Sequence, residues 1–328
     1  MTWFQKFSIA ACIALTLLIS VGAIVRASGA GMGCPDWPMC WGCLIPPMSA
    51  DQIDPEKLDI EKYRKKALRY GIDPKTITTE SVIADYNPVH TWTEYINRLT
   101  SLPLALATLA AFRASFWHRK KRPHLVLVAL LALILLLVNA WMGAQIVYSG
   151  LKPGVITIHT ALAMLMFCTL VYMAWRGCDS PWKLPKSSMG GGIRKIAVVL
   201  LALVLVEGIL GSQIREKTDD LKKTHSNAPR VEWIAELEES PTYLIHRSGS
   251  WLILIASVLF FFKARKNKTG ALLVESVVFG VVLAQMCLGL ILAQVGILPI
   301  AQVLHISLSS ILISTLLLWL LASQSQEA

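Results

Sequence analysis

Charge is what this sequence has least of. Only 16% of its 328 residues are charged and 55% are hydrophobic, whereas a soluble globular domain carries about 25% charged residues. With a mean hydropathy of +0.56, this balance excludes a disordered chain, a fibrous protein and an ordinary soluble enzyme. Acidic side chains are scarcest where the chain is most apolar: only Glu94, Glu207 and Glu275 fall inside the long apolar runs. Basic side chains are almost missing from two short connections, near 148–156 and 294–300, which hold Lys152 alone. What is plentiful is apolar sequence gathered into runs of roughly 20 residues, the length a helix needs to cross a bilayer core of about 30 Å.

The runs lie near 8–28, 94–117, 124–147, 157–175, 196–213, 244–262, 271–293 and 301–322. They predict an all-α membrane protein with eight transmembrane helices. The first run follows Lys6 and precedes Ala27-Ser28-Gly29-Ala30, which also reads as a signal peptide; the repeat described below favours a retained span. Short loops orient the chain. Arg119, Lys120, Lys121 and Arg122 fill one, and Lys263, Arg265, Lys266 and Lys268 another, while the connector 176–195 has five basic residues and one acid, Asp179. The positive-inside rule makes these cytoplasmic, with both termini inside. The long loops 30–93 and 214–243 then lie outside, with 12 basic residues against 16 acidic ones. The net charge of +10 therefore reports topology, and no nucleic acid or other polyanion is expected. Asp51–Tyr70, with Pro55 near its start and Gly71 after its end, reads as a charged surface helix without assigned chemistry.

The chain repeats itself. Gly143, Gly150, Pro153 and His159 recur as Gly289, Gly296, Pro299 and His305 with identical spacings of 7, 3 and 6. Gly22 and Arg26 end the first run as Gly211 and Arg215 end the fifth, and Tyr95-Ile-Asn97-Arg98 opens the second as Tyr243-Leu-Ile-His246-Arg247 opens the sixth, with the tyrosine shifted. Four spans per unit keep both copies in one orientation. The expected architecture is two tandem four-helix bundles: 1–176, a cytoplasmic linker 177–195, and 196–328. Glycine and proline at the repeated places are read as turn formers in the short external loops.

Of the seven histidines, His118, His124 and His225 flank or lie in loops and read as solvated. His246 and His305 fall at matched depth near the outer face of one bundle. A membrane histidine is either an interhelical hydrogen-bonding contact or a ligand; two on facing helices suit a planar porphyrin ligated from above and below. Zinc lacks further ligands nearby. A bis-imidazole haem has no open position and would carry electrons. In the other half Asn97 stands in place of His246, so a haem held by His159 alone would keep a free coordination site for oxidation chemistry. His90, one turn before Glu94, reads as a helix-entry residue or a second ligand.

Glu94 shares a helix face with Asn97 and reads either as a proton-transfer group or as an acid of a first helical turn. Arg26, Arg98, Arg215 and Arg247 lie at outer span ends, where guanidinium groups either clamp haem propionates or anchor the interface. Cys34, Cys40 and Cys43 lie on the external side, where a disulfide persists; their pairing, and whether a bridge is structural or redox-active, stay open.

The run Gly29-Ala-Gly31-Met-Gly33-Cys34-Pro-Asp-Trp-Pro-Met-Cys40, the segment Glu94-Tyr-Ile-Asn-Arg98, His159, the pair His246-Arg247 and His305 resemble haem A synthase, the membrane enzyme of cytochrome oxidase assembly. The resemblance covers nearly all eight spans. It implies haem b held by His246 and His305, haem O received as substrate near His159, and oxidation of a porphyrin methyl group to the formyl group of haem A. It places Glu94 at the family's acidic catalytic position and maps the reactive cysteine pair onto Cys34 and Cys40. It further implies a bacterial cytoplasmic (inner) membrane location, delivery of haem O by haem O synthase and a membrane electron acceptor, and leaves a homo-oligomer open. Two features depart from the family: Asn97 stands where histidine is frequent, and no cysteine pair lies between Arg215 and Tyr243. The alternatives are a membrane cytochrome b passing electrons onward, a haem-binding paralogue that makes no haem A, and a transporter without haem.

Overall fold

The computed structural model describes residues 1–69, 73–190, 192–225 and 228–324, and every regular element among them is helical. Helix α1 spans Trp3–Ala27 and starts behind Thr2, whose hydroxyl accepts the Gln5 N–H. In the long loop that follows stand two short helices, α2 (Ile60–Arg69) and α3 (Thr79–Ala84), the latter opened by a reciprocal Thr78/Ser81 capping box. Next come α4 (Pro88–Ser115), α5 (His124–Tyr148) and α6 (Val155–Arg176). The second half holds α7 (Ile193–Thr224), α8 (Arg230–Glu238), α9 (Pro241–Asn267), α10 (Leu272–Leu290) and α11 (Pro299–Ala322). Two entries are capped by side chains: Asn87 accepts the His90 N–H and Ser240 that of Tyr243, each followed by a proline at the first helical position, where no N–H is needed.

Among the described residues seven helices are long and apolar enough to cross a membrane: α1, α4 with its extension to His118, α5, α6, α9, α10 with its extension to Val295, and α11. The run expected at 196–213 lies within α7, which continues to Thr224. The loop expected from 214 is thus largely helix, because no glycine or proline interrupts the chain between Gly211 and Pro229 and Arg215 and Asp219 pair across one turn. Helix α1 packs on α4 and α6, and α5 also contacts both. In the second half α7 packs on α9 and α11, with α10 against the same two, and contacts of α11 with α1 and α6 join the halves.

Three differences from the sequence reading have local causes. The surface helix begins at Ile60, not near Asp51: Asp54 caps a single turn over Pro55–Lys57, and Ile53 and Leu58 leave helical geometry and turn inward. Tyr70 and Gly71 lie outside the described residues. Of the repeated glycines, Gly150 serves the external turn with φ 66°, whereas Gly143 and Gly289 lie inside α5 and α10 and need another explanation. The segment Ile291–Val295 widens into a π-helical turn before Gly296.

The main apolar core runs between the spans through Phe4, Leu125, Met166, Leu200, Phe260 and Trp319. A second, smaller core forms outside them, where Cys34, Cys40, Trp41, Ile53, Leu58 and Val82 pack under Tyr63, Tyr86 and Tyr95. The long outer loop is therefore a folded cap. Gly33 sits so close to α4 that a Cβ there would fall 2.2 Å from the His90 carbonyl oxygen, so only glycine lets the cap dock.

Candidate functional site

Four equivalent places in the spans carry the polar side chains singled out by the repeat. A Cβ added to Gly143 would lie 4.0 Å from Cε1 of His159, one at Gly211 3.6 Å from Cε1 of His246, and one at Gly289 3.8 Å from Cε1 of His305; at Gly22 the nearest atom is Oδ1 of Asn97, at 3.7 Å. The interior glycines thus leave room for a ring on the next span, and anything longer than a methyl group would take the ring's place. Asn97 is the geometric counterpart of His246, as the sequence register indicates.

One turn before three of these glycines stands a polar residue: Asn139, Glu207 and Gln285. Among the described residues the buried Nδ1 atoms of His159, His246 and His305 all lack a well-aligned hydrogen bond. The neighbours differ: His159 and His305 lie by the backbone carbonyls of Asn139 and Gln285, whereas His246 Nδ1 meets the Glu207 carboxylate. For His246 the contact at Nδ1 leaves Nε2 as the nitrogen that Glu207 does not engage.

His246 and His305 line one cavity of about 360 Å³, within the roughly 300–1,000 Å³ of small-molecule and cofactor sites. Its apolar walls include Val204, Ile253, Val282 and Leu312, and Arg26, Arg215, Arg230 and Arg247 also border it. Asp219 holds Arg26 at 3.1 Å and Arg215 at 3.0 Å, and Arg230 donates to the carbonyls of Leu292 and Ala293 in the π-helical turn, each at 3.2 Å. Nη1 of Arg215 is buried and has no acceptor among the described residues. Paired imidazoles over glycines, an apolar cleft and a buried guanidinium N–H awaiting an acceptor fit a planar haem with its carboxylates toward the arginines. Among the described residues no three His, Cys, Asp or Glu side chains gather to hold a metal ion, so two imidazoles suit iron already chelated by a macrocycle better than a bare cation.

In the first half the structure assembles a different group. Cys34 and Cys40 form a disulfide, both fully buried, and Cys43 stays free. Arg98 clamps that loop: its Nη2 donates to the Cys34 carbonyl and its Nη1 to the Met39 carbonyl, each at 2.9 Å, while Nε donates to Glu94 Oε1 at 3.2 Å. The other Glu94 oxygen accepts from Asn97 Nδ2 at 3.4 Å. Glu94 is only 7% exposed, which sets it apart from a solvated first-turn acid. The Thr91 hydroxyl and the Trp41 indole N–H both donate to the Gly33 carbonyl, pinning the cap on α4. His159 stands apart from this cluster on α6. His90 occupies the first turn of α4 behind Asn87.

Glu94, Asn97, Arg98, Cys34 and Cys40 thus meet in one network, and His246, His305 and Arg247 around one cavity. The Arg98 donors go to protein carbonyls and Glu94. Sequence reading missed the partnership of Glu207 with His246 and the part of Arg230. The polar residue four positions before three of the glycines was a readable signal for the former; for the latter there was none, since Arg230 lies beyond the apolar runs.

The cytochrome oxidase assembly protein family (COX15-CtaA) matches residues 5–317. A haem A synthase of Wolbachia pipientis wMel is 25% identical over 293 residues, covering 83% of this chain and 80% of its own length. One of Novosphingobium aromaticivorans is 26% identical over 321 residues, covering 90% and 88%. One of Nitrosomonas eutropha is 25% identical over 279 residues, covering 78% and 74%.

Proposed function

We propose that this chain, which belongs to the COX15-CtaA family of cytochrome oxidase assembly proteins, is a haem A synthase that oxidises the methyl group of haem O to a formyl group. The observation that carries the reading is the convergence of His246 and His305 on one apolar cavity in a chain whose relatives bear that name. The cavity residues suit haem b, which His246 and His305 would hold and whose carboxylates Arg215 and Arg247 would be available to bind. Haem b would supply one-electron transfer to a membrane electron acceptor.

Haem O is the substrate of the first half. His159 is its ligand from α6, and Asn97, an amide where a second imidazole would close the iron, keeps the opposite side open. Glu94 takes the proton that oxidation of the methyl group releases: it is buried, and Arg98 and Asn97 hold its two oxygens. With water as the oxygen source, conversion of the methyl to the formyl group releases four electrons, which would leave through haem b to the membrane acceptor, and four protons, for which Glu94 is the first fixed acceptor. The Cys34–Cys40 disulfide keeps the cap folded over Glu94, and it becomes open to thiol exchange once Arg98 releases the loop.

In this reading α7 is the eighth span. Residues 1–176 and 196–328 form tandem four-helix units of like orientation, joined by 177–195, consistent with the ring of contacts in each half. The basic loops put both termini in the cytoplasm of a bacterial inner membrane, with the cap outside and haem O delivered by haem O synthase. The test is expression with a haem O supply followed by pigment extraction. Formyl haem is expected; haem-loaded, folded protein that yields none contradicts the assignment and favours a haem-binding electron carrier.

A further inference from the structure

Glu207 is a buried carboxylate for which neither the substrate site nor the arginine-bordered side of the cavity gives a use. Its side chain is 11% exposed, and its ion-pair partner is His246, through Nδ1. Three of the four guanidinium groups that border the cavity have other partners: Arg26 and Arg215 pair with Asp219, and Arg230 with the Leu292 and Ala293 carbonyls. A second feature shows that the contact is built. Gly249 lies one turn beyond His246 on α9, and a Cβ there would collide with the Glu207 carboxylate. Gly211 receives the ring of His246, and Gly249 receives the acid that meets it.

The two imidazoles at the cavity are thereby unequal. The ring of His305 lies by a neutral backbone carbonyl, that of Gln285, and His246 meets a carboxylate at Nδ1. An imidazole that donates its second N–H to a carboxylate is fixed in tautomer and orientation and becomes a more basic, more electron-donating ligand. A buried carboxylate without a cation is costly, and it is offset where the ligated imidazole carries shared positive charge.

We infer that Glu207 is a positioning residue for the electron-transfer site: it accepts a hydrogen bond from Nδ1 of His246, aims Nε2 into the cavity, and lowers the reduction potential of the iron that His246 ligates. The inference rests on the reading that His246 and His305 hold a haem. Its experiment is a spectroelectrochemical titration of the purified haem-loaded protein, wild type against E207Q, E207D and G249A. Glu207→Gln keeps the shape and removes the charge, so low-spin haem is retained and its midpoint potential moves to a more positive value. Glu207→Asp restores part of the shift. Gly249→Ala pushes the carboxylate off His246 without altering it and moves the potential in the same direction, which keeps the test open if E207Q does not assemble. Haem-replete E207Q and G249A at the wild-type potential overturn the inference alone. Wild-type protein without low-spin haem overturns the underlying reading instead.

Discussion

At the scale of single residues, the cluster around Glu94 makes the sharpest demands. Arg98 holds Glu94 and the carbonyls of Cys34 and Met39 together. Removing one partner of a buried ion pair costs about 3–5 kcal/mol. Arg98→Met is therefore expected to lower the melting temperature in detergent and to speed reduction of the Cys34–Cys40 disulfide by a mild thiol, followed by alkylation and mass measurement; unchanged reduction kinetics would contradict the clamp. Glu94→Gln keeps the shape of the side chain and loses the proton acceptor. It is expected to abolish formyl haem in extracted pigment while leaving the low-spin spectrum of the second half intact. Loss of both would show that Glu94 serves folding instead. Much of this was legible from sequence: Glu94, Asn97, Arg98 and the two cysteines stood out by rarity and repetition. Their union through the guanidinium was not, because a fork reaching three acceptors depends on how the cap folds back on α4, and that contact joins residues about sixty positions apart.

At the scale of elements, apolar runs misplaced helix entries and helix interiors misled. The runs beginning near 94 and 244 miss the first turns of α4 and α9, which are set by Asn87-Pro88 and Ser240-Pro241. Gly143 and Gly289 had the right spacing for the wrong reason: they make space for imidazoles from the next span, and space is invisible in a one-dimensional pattern. The end of α7 was missed because falling hydropathy marks where an apolar run stops, not where a helix does. Its outer extension has a task across the halves. Glu216 on α7 accepts the backbone N–H groups of Gly154 and Thr157 and the Thr157 hydroxyl, at 2.9, 2.9 and 3.0 Å. It caps, from another helix, the N-terminus of the α6 segment that carries His159. Loss of a cap costs about 0.5–2 kcal/mol. Glu216→Ala should speed hydrogen exchange at the amides of residues 154–157, with little change in α9; protection equal to wild type would show that the α6 entry stands without it.

At the scale of the whole molecule, scarcity of charge becomes an architecture in which each half offers the same two glycine-faced positions and fills them differently. Of the four in all, glycine faces histidine at three and asparagine at the fourth. Asn97→His should complete the symmetry. Purified N97H is expected to gain a second low-spin component when supplied with haem, and its host to make less formyl haem, as the open position closes. No added low-spin signal would mean that the first half does not present its ligands as the second does. The central claim is that the two halves have separate roles, with a closed pair of imidazoles in the second. The most direct measurement is the reduced-minus-oxidised spectrum of the purified protein beside its His305→Ala and His159→Ala variants. A low-spin haem spectrum in wild type that vanishes in H305A and survives in H159A is the predicted result; a spectrum that survives in H305A, or vanishes in H159A, would contradict it.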